Sequence, residues 1–323
     1  MLEIYHQEIP SFIEEAAASK AMKRLQKVGM DCGCEYTSFS RWQSITPYKR
    51  YEHSIGVALI IWHFTNDVKQ SLAGLFHDIS SPAFAHVVDF MNKDYLKQES
   101  TEEGIREILV NSPDIMALLE KHGLSVDDVC DYHKYPIADN DQPLLSADRL
   151  EYTLTNLVRY QGFTKEEVRE MYDDITVGIN EQGQQELMFV HSELAEKFAL
   201  GTLLNSRLYV SDEDRYAMEL LARILRRHIK KGDLELRDLY EDEEKVINKI
   251  EKWRDWQRFT QMRSLVRSER YHGNGWIRVQ AKKRYIDPMV KDQGRISVLS
   301  RAVRNEMNDF LNITFDYYLK GGL

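Results

Sequence analysis

Ala73-Gly74-Leu75-Phe76-His77-Asp78-Ile79-Ser80-Ser81-Pro82-Ala83-Phe84-Ala85-His86-Val87-Val88-Asp89 is the stretch on which the reading of this chain turns. An apolar run ends in adjacent His77 and Asp78 and turns through Ser80-Ser81-Pro82. It restarts as a helix bearing a second His and Asp, His86 and Asp89. Ionisable ligands grouped at the buried end of a helix are costly unless a cation sits among them. A divalent metal ion is the expected cation, and the rest of the chain must supply further ligands and the pocket over them.

Two candidates stand in comparable settings. His53, in Arg50-Tyr51-Glu52-His53-Ser54-Ile55-Gly56-Val57, opens an apolar helical stripe that continues through Ile60, Ile61 and Phe64. Asp148, in Ser146-Ala147-Asp148-Arg149-Leu150-Glu151-Tyr152, opens another. Each candidate sits at a helix end, where helices converge and a pocket can form. Two imidazoles and two carboxylates make a mixed nitrogen–oxygen site suited to one divalent ion of iron, manganese, nickel, zinc or magnesium. Water in the open positions of such a site becomes a nucleophile at neutral pH.

At 323 residues, with 43% hydrophobic and 29% charged side chains, the chain is long enough for a sizeable core and reads as globular. The apolar segment Gly56–Trp62 is too short to span a bilayer, and no basic stretch followed by an apolar one opens the sequence. No membrane partner is expected. Cys32, Cys34 and Cys130 do not make a disulfide framework, so free thiols in a reducing cytoplasm are the expectation. The net charge of −9 argues against nonspecific nucleic-acid binding. Yet residues 251–304 hold fourteen Lys or Arg against five Asp or Glu, +9 within a remainder of −18. That basic segment suits nucleotide phosphates, a nucleic acid, an acidic face of another subunit in a homo-oligomer, or internal ion pairs.

Helix-start signals recur at Ser11-x-x-Glu14, Ser100-x-x-Glu103, Thr164-x-x-Glu167 and Ser211-x-x-Asp214. The patterns predict helices over about 11–28, from about 51, over 71–77, and over 83–92 with Ser81 as cap and Pro82 at the first position. Further helices are predicted over 114–122, 125–132, 144–160, 192–208, 213–231, 241–256 and 255–269. A β-hairpin is expected within about 173–190, around Asn180-Glu181-Gln182-Gly183, and a strand over 276–280. The expected architecture is mainly α. A helical domain spans 1–231, and a charged, basic, mixed α/β region spans 232–323, packed on it or used in assembly.

His53, then His77-Asp78, then Asp148, in that order and setting, resembles the H…HD…D signature of the HD-domain metal-dependent phosphohydrolases, over roughly residues 45–160. Within that superfamily the segments around Arg50–Val57, Pro82–Asp89 and Asp148–Tyr152 are similar to the deoxynucleoside triphosphate triphosphohydrolase branch. The resemblance implies an all-helical bundle around one metal held by His53, His77, Asp78 and Asp148. It implies His86, oriented by Asp89, as general acid, and Arg149 and Tyr152 facing the substrate, with Arg50 bracing the pocket or touching phosphate.

The sequence departs from the branch where many members carry a further histidine, here Ser81. It departs again at Gln98, where another histidine precedes a Glu, and at Asn156, where an acidic residue helps read the sugar. The expected substrate is therefore a phosphate ester, with a nucleotide of some kind foremost. The same departures also suit a nucleotide-binding regulator that keeps the scaffold and hydrolyses little.

Overall fold

Arg50–Thr65 (α1) is apolar on every side through its middle, and Ser54–Ile61 are all buried, so it forms the central rod of the molecule. It ends at Asn66, whose φ of 50° suits a left-handed cap. Val68–Phe76 (α2) follows, capped by Asp67, whose carboxylate accepts from the backbone amides of Lys69 and Gln70. The two helices pack closely at Gly74, where a Cβ would lie 2.2 Å from Ile61 Cδ1. The computed structural model describes residues 1–92 and 104–322, with only the backbone of Asp89 and Asn92.

Val87–Asn92 (α3), Ala147–Tyr160 (α4), Ser192–Tyr209 (α5) and Asp212–Lys231 (α6) complete the frame that positions the site. Ser146 caps α4 by accepting from the Arg149 amide, and α4 lies against α1. Short strands accompany them: β1 (Ile175–Ile179), β2 (Gln185–Phe189), β3 (Ser264–Ser268), β4 (Met289–Val290), β5 (Gly294–Arg295) and β6 (Tyr318–Gly322). One sheet runs β1-β2-β4-β5, with Ile175 opposite Phe189 in the antiparallel hairpin and Phe189 opposite Val290 in the parallel contact. The other pairs β3 with β6 antiparallel. The fold is mainly helical with small β parts, as expected. Among the described residues no helix is long and apolar enough to cross a membrane, and all three cysteines are free.

Several local expectations change. The predicted helix over 11–28 is broken: Ser11–Ala17 and Lys20–Arg24 are separate, and Ser19 caps the second. Ser11 is the first helical residue and makes no cap bond; Thr164 with Glu167 does form the full capping box. The signal at Ser100 lies outside the described residues. Pro82 does not start a helix. Phe84 and Ala85 take φ of 61° and 44°, values that break any helix, so α3 begins only at Val87. Residues 255–269 divide into a helix, Arg254–Thr260, and strand β3, because Ser264 to Ser268 find β6 as a partner. Residues 276–280 contribute one isolated bridge, Ile277 with Leu319, instead of a strand.

Residues beyond 231 enter the main cores. Ile286, Val290, Ile296 and Val303 pack with α1 and α4, while Leu239, Val246, Trp256, Phe259 and Leu319 join Phe84, Val88 and Leu225. Much of the basic segment is satisfied internally. Arg295 pairs with Glu181 and Glu186, Arg267 with Asp212 and Arg278 with Asp316.

Candidate metal centre

The C-terminal end of α2 delivers His77 and Asp78, the first turn of α1 delivers His53, and the first turn of α4 delivers Asp148. Ligand atoms of His53, His77 and Asp148 all lie within 4.8 Å of one another. His53 Nε2 is 3.0 Å and His77 Nε2 3.8 Å from Asp148 Oδ1. Asp78 Oδ2 is 3.5 Å from His77 Nε2 and 4.0 Å from His53 Nε2. Nitrogen and oxygen ligands about 2.1 Å from one ion stand roughly 3–4 Å apart, so His53, His77 and Asp148 fit a single divalent ion, while Asp78 lies beside the two imidazoles with both oxygens held by Arg50.

The imidazoles are pre-set for that task. His77 Nδ1 donates to Gly74 O at 2.7 Å, and His53 Nδ1 donates to Glu151 Oε2 at 2.6 Å. Each second-nitrogen bond leaves Nε2 as the atom facing the centre. Glu151 is 1% exposed and also takes hydrogen bonds from Tyr48 and Thr155. It lies on α4 three residues after Asp148, so one helix turn supplies both a candidate ligand and the carboxylate behind another. Its place in the sequence motif carried no sign of this role, since the spacing matches any two residues on one helix face.

Electrostatics support a cation at this point. Burial raises the cost of ionising Asp78, yet Arg50 and the two imidazoles hold its carboxyl well below the usual range. Arg50 Nη1 donates to both Asp78 oxygens, at 2.6 and 2.7 Å. Burial works against protonated His53, but Asp148 and Glu151 outweigh it and push its pKa up to about 10. Asp148, for which burial again opposes ionisation, is held at about 2 by His53. The pocket therefore stabilises positive charge among its carboxylates.

Ser81 is buried and is not a helix cap: its hydroxyl donates to Asp78 Oδ1 at 2.7 Å and accepts from Arg50 Nη1 at 3.3 Å. The turn around it is held from elsewhere. Arg24 Nη2 donates to the carbonyls of Ile79 and Ser81, the Ala83 amide to Leu239 O, and the Phe84 amide to Glu243 Oε1. Neither Arg24 nor Glu243 stands out in the sequence, because nothing local links them to residues 79–84.

Arg50, His53, His77, Asp78 and Asp148 line a cavity of about 410 Å³. His86 is half-buried on its wall; the side chain of Asp89 and all of Gln98 lie outside the described residues. Arg149 lines the cavity but is bonded to Asn140, Leu144 and Ser146 and ion-paired with Asp139. Tyr152 also faces the cavity, its phenol pushed up to about 12 by burial and by Asp148. Asn156 lines it too, donating to Tyr209 at 2.8 Å and accepting from Arg159. His133 is on the same wall and paired with Asp139, whereas His122 lies away from the cavity against Phe12.

No family model matches the chain. It is 28% identical over 243 residues to the uncharacterized protein YdhJ of Bacillus subtilis, covering 74% of this chain and 71% of that protein. It is 28% identical over 183 residues to the metal-dependent phosphohydrolase cns2 of Cordyceps militaris, covering 54% of this chain and 49% of that protein. This second match thus spans about half of cns2. Among solved structures, the phosphohydrolase BT4208 of Bacteroides thetaiotaomicron superposes with a TM-score of 0.64 at 13% identity, over 97% of this chain and 96% of that one. A hypothetical protein from Aquifex aeolicus superposes at 0.62 with 15% identity, over 97% and 93%. Nearly the whole chain therefore shares its mainly helical fold with both of these proteins.

Proposed function

We propose that the chain is a metal-dependent hydrolase of phosphate esters, with nucleotides the first substrate class to test. The observation that carries this reading is the grouping of His53, His77 and Asp148, with Asp78 beside the imidazoles, in a cavity that also holds Arg149, Lys282 and Arg284. The likeness to cns2, whose name is metal-dependent phosphohydrolase, supports it.

His53, His77 and Asp148, with Asp78 as the fourth candidate, would hold a divalent ion, which would supply Lewis-acid polarisation and activation of water at neutral pH. Arg50 and Ser81 orient Asp78, while Glu151 and the Gly74 carbonyl orient the two imidazoles. His86, on the cavity wall, delivers a proton to the departing oxygen. Tyr152 keeps its proton at neutral pH and donates a hydrogen bond to phosphate or sugar. Arg149 has both terminal nitrogens engaged by the Asn140–Ser146 loop, so it acts on phosphate through charge and holds the wall in shape.

The test is elemental analysis of the purified protein, followed by phosphate release from a nucleotide panel with each metal in turn. Wild type is expected to bind one divalent ion per chain and to release phosphate. His77→Ala is expected to lose the ion and turnover by orders of magnitude. A wild-type protein that binds no divalent metal, or a His77→Ala variant of undiminished rate, overturns the reading.

A further inference from the structure

We infer that the cavity holds a second anion site, centred on Arg284, which recognises a second phosphate on the substrate, away from the one that is cleaved. This rests on the phosphohydrolase reading for the first phosphate, but the second site stands on its own geometry.

Of the cations that face the cavity, Arg50, Arg149 and Arg215 are committed to the protein. Arg50 clamps Asp78, Arg149 the Asn140–Ser146 loop, and Arg215 is ion-paired with Asp212 while donating to the Val210 and Val279 carbonyls. Arg284 differs. It is half-buried on the cavity wall, and it makes no hydrogen bond or ion pair with any described residue. Taking a guanidinium partly out of water without a partner is unfavourable, and a phosphate offers the matching planar, bidentate partner. Lys282 lies on the same wall and adds positive charge, and Tyr285 adds an aromatic face.

The segment is built to aim these groups inward. Lys283, between them, points the other way, to the Leu311 carbonyl and the Phe315 ring. Neighbouring residues of an extended chain face opposite sides, which puts Lys282 and Arg284 together toward the cavity. The segment is tied to the facing loop where Gln142 Nε2 donates to Lys283 O at 3.0 Å and the Asp287 amide to Pro143 O at 2.9 Å.

Arg284 and Tyr152 line the same cavity, and Tyr152 is one helical turn beyond Asp148. An anion held at Arg284 therefore shares the cavity with one at the metal centre, the arrangement that two phosphates on one small molecule require. This also gives part of the basic segment a place in substrate recognition.

The test compares wild type, Arg284→Ala and Arg284→Lys, each loaded with manganese. Substrates with one phosphate, p-nitrophenyl phosphate and adenosine 5′-monophosphate, are set against adenosine 3′,5′-bisphosphate and adenosine 5′-triphosphate. Arg284→Ala is expected to raise KM for at least one of the two multi-phosphate substrates by about tenfold or more, with kcat little changed. The single-phosphate substrates should be unaffected, and Arg284→Lys should recover part of the loss. Independently of activity, inorganic pyrophosphate should raise the melting temperature of EDTA-treated wild type more than that of EDTA-treated Arg284→Ala.

Pyrophosphate protection that depends on Arg284, in a protein that hydrolyses none of the four esters, supports the anion site and defeats the hydrolase reading. Hydrolysis that Arg284→Ala leaves unchanged on all four, or impairs equally on all four, overturns the anion site and leaves the hydrolase reading standing. Pyrophosphate protection that is absent in wild type or equal in the two proteins also overturns the anion site.

Discussion

His53 Nδ1 and Glu151 Oε2 are 2.6 Å apart, and this contact determines which imidazole nitrogen faces the cavity. Glu151 is a buried carboxylate with four neighbours that donate to it or touch it: Tyr5, Tyr48, His53 and Thr155. Glu151→Gln preserves its shape but loses the charge that holds the His53 ring. It should weaken divalent-metal binding by about 10–100-fold, measured by competition with a chromophoric chelator. An unchanged affinity would show that the carboxylate does not orient His53 for binding.

Arg50 and Asp78 form a buried ion pair, with side chains 6% and 9% exposed. Arg50→Ala strands the Asp78 carboxylate, and breaking such a pair costs about 3–5 kcal/mol. Urea unfolding in EDTA should record that loss. Adding manganese should recover part of it, since an ion beside Asp78 replaces the missing charge. A variant as stable as wild type without metal would contradict this account.

Gly56 is where α1 approaches α4. A Cβ there would lie 2.7 Å from Glu151 Cγ and 2.8 Å from Glu151 Oε1. Alanine favours a helix interior over glycine by about 1 kcal/mol, but overpacking a core costs about 1–3 kcal/mol. Gly56→Ala should therefore lower both the melting temperature and the metal affinity, because the displaced group is the partner of His53. A gain in melting temperature with full metal affinity would show that Glu151 yields without consequence.

Asp214 lines the cavity beside Cys34, with its pKa pushed up to about 8 by burial and by Asp31, against Arg41 and Arg215. The folded protein thus keeps a proton that the unfolded chain loses near the ordinary value of 3.8. The stabilisation from that group is complete below the unfolded value, declines as pH rises, and is gone once pH passes about 8. Melting temperature should fall between about pH 5 and about pH 8 in wild type, and Asp214→Asn should flatten the decline. Equal slopes in the two proteins would mean that Asp214 titrates normally.

Local spacing alone suffices for the helical periods of α1 and α4, the hairpin near 173–190 and the order of the residues that meet at the centre. These follow from apolar periodicity, turn residues, and ionisable groups at the ends of apolar helices. Features that depend on distant partners were settled only by packing. Ser81, read from Pro82 as a helix cap, became a clamp on Asp78 because Arg24, Leu239 and Glu243 hold its turn open. Residues 264–268, read as helix, became a strand because β6, far along the chain, offered its edge. Glu151 and Arg284 show the same limit. Their chemistry is visible in the letters, but which side chain each faces is set by contacts between helices and segments that lie far apart in the chain.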